Sequence, residues 1–210
     1  KDFLIVADTI AKLYVIDINT GKLIWSKKNS APFNSQIKIY NDKFFVIDFD
    51  NNLKGYLIKN GEKILDVKTE NTLIRSQKKL SIVVVNENIY FNNSLGDISS
   101  VNIKSGELLW QTPTQNYLVY NDSLFLKTSE IITDNKNLYF SNNKNEFFSL
   151  DLNTGTLNWK QDINSNLKST IVGDHLFTVT MNGYLVVIDK NKGNIVRINN
   201  IFSGIKKNKN

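Results

Sequence analysis

Few residues in this chain of 210 could perform acid–base, metal or redox chemistry. His175 is the only histidine and stands beside Asp174 in a polar turn. A metal site needs several converging ligands, so this pair is a weak signal, and we interpret His175 as an ordinary turn residue. The absence of cysteine excludes disulfides, thiolate nucleophiles and cysteine-ligated zinc within the sequence. We also find no Gly-rich phosphate loop, serine elbow or paired-carboxylate motif.

Three aspartates and three tryptophans stand out because each set recurs in one sequence context. They are Asp17, Asp151 and Asp189, and Trp25, Trp110 and Trp159. Carboxylates could hold a cation, and indoles could stack on a planar cofactor. Recurrence at fixed positions instead favours structural roles in a repeat. We therefore predict no catalytic, cofactor-binding or metal-binding residue, and no enzyme activity.

The repeat is the phrase Val-Ile-Asp-Ile-Asn-Thr-Gly-Lys-Leu-Ile-Trp at positions 15–25, which returns four more times in closer or weaker form. Its anchor glycines are Gly21, Gly61, Gly106, Gly155 and Gly193, which lie 40, 45, 49 and 38 residues apart. This period is typical of a four-stranded propeller blade. Additional strand signals, separated by polar turns, precede each phrase, and no helical period is present.

Each residue of the phrase has a physical role in this interpretation. The Asp carboxylate can accept hydrogen bonds from turn amides, and the Gly can adopt a positive φ without a Cβ clash. A tryptophan that recurs once per blade can pack between neighbouring blades, with its indole N–H bonded to a carbonyl. The sequence therefore predicts an all-β propeller of about five four-stranded blades, the first of them truncated.

The phrase x-Asp-x-x-Thr-Gly-x-x-x-Trp resembles the tryptophan-docking repeat of PQQ-dependent dehydrogenases and of the non-enzymatic BamB family of outer-membrane assembly lipoproteins. The resemblance covers nearly the whole chain. These families usually close eight blades, which implies a partial or unusually small ring here. We expect residues 1–210 to form one PQQ-like propeller domain, part of a larger propeller, with a basic tail at 206–210.

The resemblance also implies a partner-binding loop. BamB proteins contact their barrel partner through a Leu-x-Leu-Arg phrase before a blade, and the sequence at 72–75 falls at the matching place. This carries over to Leu73, Ile74 and Arg75, and a following acidic position is matched loosely by Asp122. An alternative is that Leu73 and Ile74 are core residues and Arg75 is a solvated neighbour.

The resemblance favours a non-catalytic, periplasmic scaffold that binds an outer-membrane β-barrel assembly protein, tethered by a lipid attached upstream of this segment. One alternative is a periplasmic sensor or ligand-binding propeller. A less favoured alternative is a fragment of a PQQ-dependent dehydrogenase. The net charge of +6 raises nucleic acid as a partner. We expect none, because 26 basic residues are interleaved with 20 acidic ones.

Overall fold

The computed structural model describes residues 2–69, 78–114, 128–142 and 145–203. Within these ranges every regular element is a β-strand, and no helix is present. The chain divides into two compact units, Lys1–Leu126 and Lys127–Asn210. Five antiparallel sheets, in which consecutive strands are neighbours, confirm the predicted all-β class with propeller blades.

The first unit contains three of these sheets. The first has β1 (Phe3–Ala7), β2 (Lys12–Asp17) and β3 (Leu23–Lys28). The second has β4 (Lys38–Tyr40), β5 (Lys43–Ile47), β6 (Asn52–Leu57) and β7 (Lys63–Lys68). The third has β8 (Ile82–Val85), β9 (Asn88–Asn92), β10 (Ile98–Asn102) and β11 (Leu108–Thr112). The register of β1 against β2 matches that of β5 against β6, so the first sheet has no counterpart of β4 among the described residues.

The second unit contains the other two sheets. One has β12 (Ile132–Thr133), β13 (Asn137–Ser141), β14 (Glu146–Asp151) and β15 (Leu157–Asp162). The other has β16 (Thr170–Val172), β17 (His175–Val179), β18 (Tyr184–Asp189) and β19 (Ile195–Asn200).

The second strand of a sheet shows how the cores form. In β5, Phe44 and Val46 pack against the first sheet, whereas Phe45 and Ile47 pack against the third. Successive side chains on a strand point to opposite faces, so a strand covered on both faces carries a continuous apolar run. All four side chains are fully buried. The cores of the first unit therefore lie between its sheets, and Tyr139, Phe147 and Leu176 belong to the corresponding core of the second unit.

Backbone hydrogen bonds also join the second and third sheets ahead of their first strands. Leu80 donates its N–H to the Asn34 carbonyl at 2.7 Å and accepts the Gln36 N–H at 3.2 Å. The Ser35 hydroxyl accepts the Ile47 N–H at 2.7 Å and donates to the Gln36 carbonyl at 2.8 Å. The two Leu80 bonds fix the segment before β4 against the segment before β8, and the Ser35 bond to Ile47 holds the first of these segments against β5.

A buried ion pair of the second sheet lies at the contact with the first sheet. Lys54 Nζ lies 3.0 Å from Asp48 Oδ2, and the two side chains are 6% and 0% exposed. Asn29, which follows β3, accepts a hydrogen bond from Lys54 Nζ at 2.6 Å. Asp48 Oδ1 also accepts the N–H groups of Asp50 and Asn52, both at 3.0 Å. Every charge is therefore compensated, which a buried pair requires.

Replacing Lys54 by Met should strongly destabilise the protein, because the Asp48 carboxylate would stay buried without its cation. We expect the free energy of unfolding to fall by about 3–5 kcal/mol, measured by urea denaturation. The double variant Lys54→Met/Asp48→Asn should recover at least half of this loss, because an Asn carbonyl can still accept the turn amides.

The control for this prediction is Lys104→Met. Lys104 pairs with Glu87 at 2.7 Å, but the two side chains are 73% and 53% exposed. Such a surface pair contributes about 0–1 kcal/mol. Equal losses for Lys54→Met and Lys104→Met would contradict the role assigned to the buried pair.

Candidate functional site

The repeated Asp-x-x-Thr-Gly turns connect the last two strands of a sheet. Asp151 Oδ1 accepts the N–H groups of Asn153 and Thr154, both at 2.9 Å. Asp189 accepts two turn amides in the same way, and Asp17 accepts the Thr20 N–H at 2.9 Å. All five anchor glycines, Gly21, Gly61, Gly106, Gly155 and Gly193, have φ between 67° and 76°. The aspartates therefore serve as acceptors within turns.

The same hydrogen bonds shift the acidity of these groups. The Thr154 N–H holds the pKa of Asp151 below its usual value, against an opposing effect of burial. The pKa of Asp189 is lowered first by the Lys192 N–H and then by the Asn191 N–H. A carboxylate that accepts backbone N–H groups is stabilised in its charged form.

Trp25 and Trp159 each dock on the following sheet. The Trp25 indole donates Nε1–H to the Ile58 carbonyl at 2.8 Å, and Trp159 donates to the Lys190 carbonyl at 3.0 Å. Each indole also covers the anchor glycine of that sheet. A Cβ built on Gly61 would lie 2.9 Å from Trp25 Cδ2, and one on Gly193 would lie 2.5 Å from Trp159 Cδ2. The glycine therefore provides the room that the indole occupies.

The docking position differs between sheets. In the second sheet, Leu65 occupies the position that Trp25 has in the first sheet, and its side chain is buried. A Cβ built on Gly106 of the third sheet would lie 3.2 Å from Leu65 Cδ1. In the third sheet Trp110 packs against Tyr90, with ring centroids 5.8 Å apart. Leu65 thus contacts the next anchor glycine as the indoles do, with a smaller side chain.

A second repeated turn joins β1 to β2 and the two middle strands of each four-stranded sheet. The sequence predicted polar turns ahead of each phrase, but their fixed distance from the anchor glycine was missed. The first residue of this turn accepts an amide four positions later; these residues are Asp8, Asp48, Asn93, Asn142 and Thr180. Its fourth residue has a positive φ; these residues are Ala11, Asn51, Gly96, Asn145 and Gly183. Each first residue stands 13 positions before an anchor glycine, so the sequence did contain the signal.

The only histidine belongs to a strand end. His175 begins β17, is half-buried, and lies opposite Asp189 in the strand register. Asp174 is 76% exposed, and its carboxylate lies 3.8 Å from Lys190 Nζ. Among the described residues there is no group of three or more His, Asp or Glu side chains that could hold a metal ion.

The first unit contains a cavity of about 770 Å³ that could receive a ligand. Its apolar wall consists of Ala7, Pro32, Phe33, Ile37 and Phe49. Its polar lining includes Asp8, Thr9, Gln36 and Lys79. Pockets that bind small molecules or peptide side chains typically measure roughly 300–1,000 Å³ and combine apolar walls with a few polar groups. We call this feature the β1–β4 cavity.

A smaller cavity of about 400 Å³ lies in the second unit. Ile163, Thr180 and Val186 line it, and they occupy the repeat positions that Asn29, Asp48 and Lys54 occupy in the first unit. Thr180 and Val186 have shorter side chains than Asp48 and Lys54, and the cavity lies where the buried ion pair stands in the first unit. The same three positions of the repeat thus support two different chemical environments.

The partner-binding residues expected from the sequence, Leu73, Ile74, Arg75 and Asp122, lie outside the described residues, as does the basic tail at 206–210. Lys79 follows the segment 70–77 closely in sequence and is exposed. In the ranges that the structure describes, no helix is long and apolar enough to cross a membrane.

Comparison with known proteins places this geometry in a family. The PQQ_2 family profile, described as "Outer membrane protein assembly factor BamB", matches residues 1–199. No curated protein sequence matches the chain.

Many solved structures share the fold, and three of them illustrate its range. BamB from Moraxella catarrhalis is 17% identical, with a TM-score of 0.80, over 94% of this chain and 61% of that one. The computationally designed Ika8 protein is 12% identical (TM-score 0.76), over 95% of this chain and 59% of that one. A europium-containing methanol dehydrogenase is 13% identical (TM-score 0.72), over 96% of this chain and 50% of that one. The chain thus spans about three fifths of the BamB structure.

The docking geometry predicts different outcomes for two glycine substitutions. Gly21 and Gly61 both have a positive φ, but a Cβ on Gly21 would meet no atom within 4 Å, whereas one on Gly61 would meet the Trp25 ring. Gly21→Ala should lower the free energy of unfolding by about 1–2 kcal/mol through backbone strain alone. Gly61→Ala should lower the free energy of unfolding by the same strain and by about 1–3 kcal/mol more, because the new Cβ overpacks against the Trp25 ring.

Urea denaturation followed by tryptophan fluorescence measures both losses. Gly21→Ala is the matched control, because it makes the same chemical change at the same backbone conformation. Equal losses would show that Trp25 does not depend on the space above Gly61.

The lowered pKa of Asp151 predicts part of the pH dependence of stability. Because the pKa is lower in the folded state, the stabilisation is complete above the unfolded value, near 3.9, and disappears as the pH falls through the folded value. Asp151→Asn retains a turn acceptor but does not titrate. It should lie within about 0.5 kcal/mol of the wild type at pH 7 and lose less stability between pH 5 and pH 2.5.

Urea denaturation at several pH values between 7 and 2.5 measures this difference. Asn102 already accepts the Lys104 and Ser105 amides at the same repeat position, which supports the use of Asn there. Asp162→Asn, on the same sheet, removes a carboxylate outside the turn and is the control. An acid-induced loss in Asp151→Asn as large as in the wild type would contradict the prediction.

Proposed function

The chain belongs to the PQQ_2 family, described as outer membrane protein assembly factor BamB, and we propose on this basis that it is a non-catalytic scaffold assisting outer-membrane β-barrel assembly. The observation that carries the proposal is the family match over residues 1–199. The proposal treats residues 1–210 as one propeller domain within a larger propeller. It places the protein in the periplasm, associated with the outer membrane through an upstream lipid.

The roles of the recurring residues support a non-catalytic protein. The carboxylates of Asp17, Asp151 and Asp189 accept turn amides. The indoles of Trp25 and Trp159 bond to carbonyls and cover glycines. The residue types that could have bound a cation or a planar cofactor therefore have structural roles at these positions.

The proposed partner is an outer-membrane β-barrel assembly protein, bound through Leu73, Ile74 and Arg75 and, more loosely, through Asp122. An arginine beside aliphatic residues is a common composition at the energetic centre of a protein interface. The planar guanidinium can donate to a carboxylate or to carbonyls while the aliphatic side chains are buried by the partner.

A second candidate function is that of a ligand-binding or sensor propeller. The β1–β4 cavity, with a volume of about 770 Å³, is the observation that favours it. A small molecule retained through purification, detected by mass spectrometry after denaturation, would support this alternative. Quinone absorbance or retained calcium would instead favour a dehydrogenase fragment.

The scaffold proposal predicts that Arg75→Glu abolishes recovery of the partner. Wild-type protein should capture an outer-membrane barrel assembly protein, identified by mass spectrometry, from detergent-solubilised envelopes. The variant should recover at least tenfold less, since the reversal loses about 1.4 kcal/mol or more for a central interface arginine. Melting temperatures establish that both proteins are folded.

Arg197→Glu is the matched control, because Arg197 lies on the exposed strand β19 and its replacement changes the charge equally. It should recover the partner as well as the wild type does. Failure of the wild type to capture any barrel assembly protein would refute the scaffold proposal. Equal losses in both variants would refute the assignment of Arg75.

A further inference from the structure

We propose that the β1–β4 cavity binds an extended protein segment that presents an apolar side chain next to a carboxylate. The inference rests on the proposed scaffold function, since it assumes a protein partner. It adds a binding site separate from the segment 72–75 and specifies the chemistry of the segment bound there.

The apolar wall of the cavity is held in place by main-chain hydrogen bonds. The Phe49 N–H donates to the Pro32 carbonyl at 2.8 Å, and Phe33 forms an isolated bridge with Asp48. Phe33 and Phe49 remain only half-buried. Two partly exposed phenylalanines on a fixed backbone form a preorganised apolar surface, so little ordering is needed when a side chain binds.

The two charged groups of the lining differ in their availability. Asp8 Oδ1 accepts the N–H groups of Ile10 and Lys12 at 2.9 and 2.7 Å, and Oδ2 accepts the Tyr14 hydroxyl at 3.0 Å. These hydrogen bonds outweigh the effect of burial and hold the pKa of Asp8 below its usual value. The carboxylate is therefore occupied within its own turn.

Lys79 is the available charge. Its side chain is exposed, and no described residue forms an ion pair or hydrogen bond with its ammonium group. The hydrogen bonds of Leu80 to Asn34 and Gln36 fix the backbone beside it at the rim of the cavity. A single uncommitted cation beside an apolar wall favours an anionic ligand group. The net charge of +6 acts in the same direction.

Another polar group of the lining suits a peptide backbone. Gln36 is half-buried in the lining, and its side-chain amide can donate to a carbonyl and accept from an N–H. An apolar wall, one amide and one rim cation match the side chain, the peptide bond and the carboxylate of a short segment. This combination favours a protein segment over a purely apolar ligand.

The test uses a fluorescein-labelled peptide with the sequence Gly-Ser-Phe-Glu-Phe-Ser-Gly and the full 210-residue chain. Fluorescence anisotropy should show saturable binding, and replacement of Glu by Gln in the peptide should weaken it. Lys79→Glu should weaken binding by roughly fivefold or more, because an exposed ion pair is lost and a repulsion is added. Lys79→Arg should retain it.

A second variant tests the cavity itself. Thr9 is exposed in the turn after β1, so Thr9→Trp can fill the cavity without disturbing a core, and it should weaken binding at least tenfold. Lys22→Glu, in the turn at the opposite end of the first sheet, is the control for charge and should bind as the wild type does. Melting temperatures establish folding for every variant.

Two results would overturn the proposal: no binding of the peptide to the wild type, or equal binding by Lys79→Glu and Lys22→Glu. These outcomes are separable from failure of the scaffold function, because recovery of the barrel protein is measured independently with Arg75→Glu.

Discussion

Neighbouring sheets within each unit are held together by one recurring contact at a corner of the sheet. There, a side chain of the last strand packs on the anchor glycine of the following sheet. Trp25 combines two constraints there, because its ring needs a residue without Cβ and its N–H needs the Ile58 carbonyl at 2.8 Å. A shift of the sheets along the strands would break both contacts together. The corner therefore sets the register in which the two sheets bury Phe44 and Val46 between them.

Away from that corner the contact between sheets tolerates different chemistry. Lys54 and Asp48 fill one contact in the first unit with a fully compensated ion pair, whereas Val186 and Thr180 leave a cavity at the same repeat positions in the second unit. The difference illustrates a general property of repeat folds. The turns that define each repeat are fixed by local hydrogen bonds, and the space between repeats can be filled, charged or left open.

The blades were predictable from the sequence because their determinants are local. A glycine with positive φ, a carboxylate that accepts turn amides and an indole at a fixed offset all lie within eleven residues of each other. The β1–β4 cavity was not predictable, because Thr9, Phe33 and Lys79 come from distant parts of the sequence. The burial of Lys54 was missed for a related reason. The sequence of its strand does not indicate that Asn29 and Asp48 lie close enough to bind the ammonium group.

The constant distance of 13 residues between the two turns of each sheet has a consequence for how the chain can change. The distance from an anchor glycine to the next middle-strand turn varies, from 25 residues after Gly155 to 36 after Gly106. Among the repeats of this chain, the differences in length thus fall in the stretch that includes the connections between sheets. Evolution can lengthen these connections one at a time and diversify recognition, while the hairpin core of each sheet keeps its size. The same connections are the rational places to graft an epitope or a reporter.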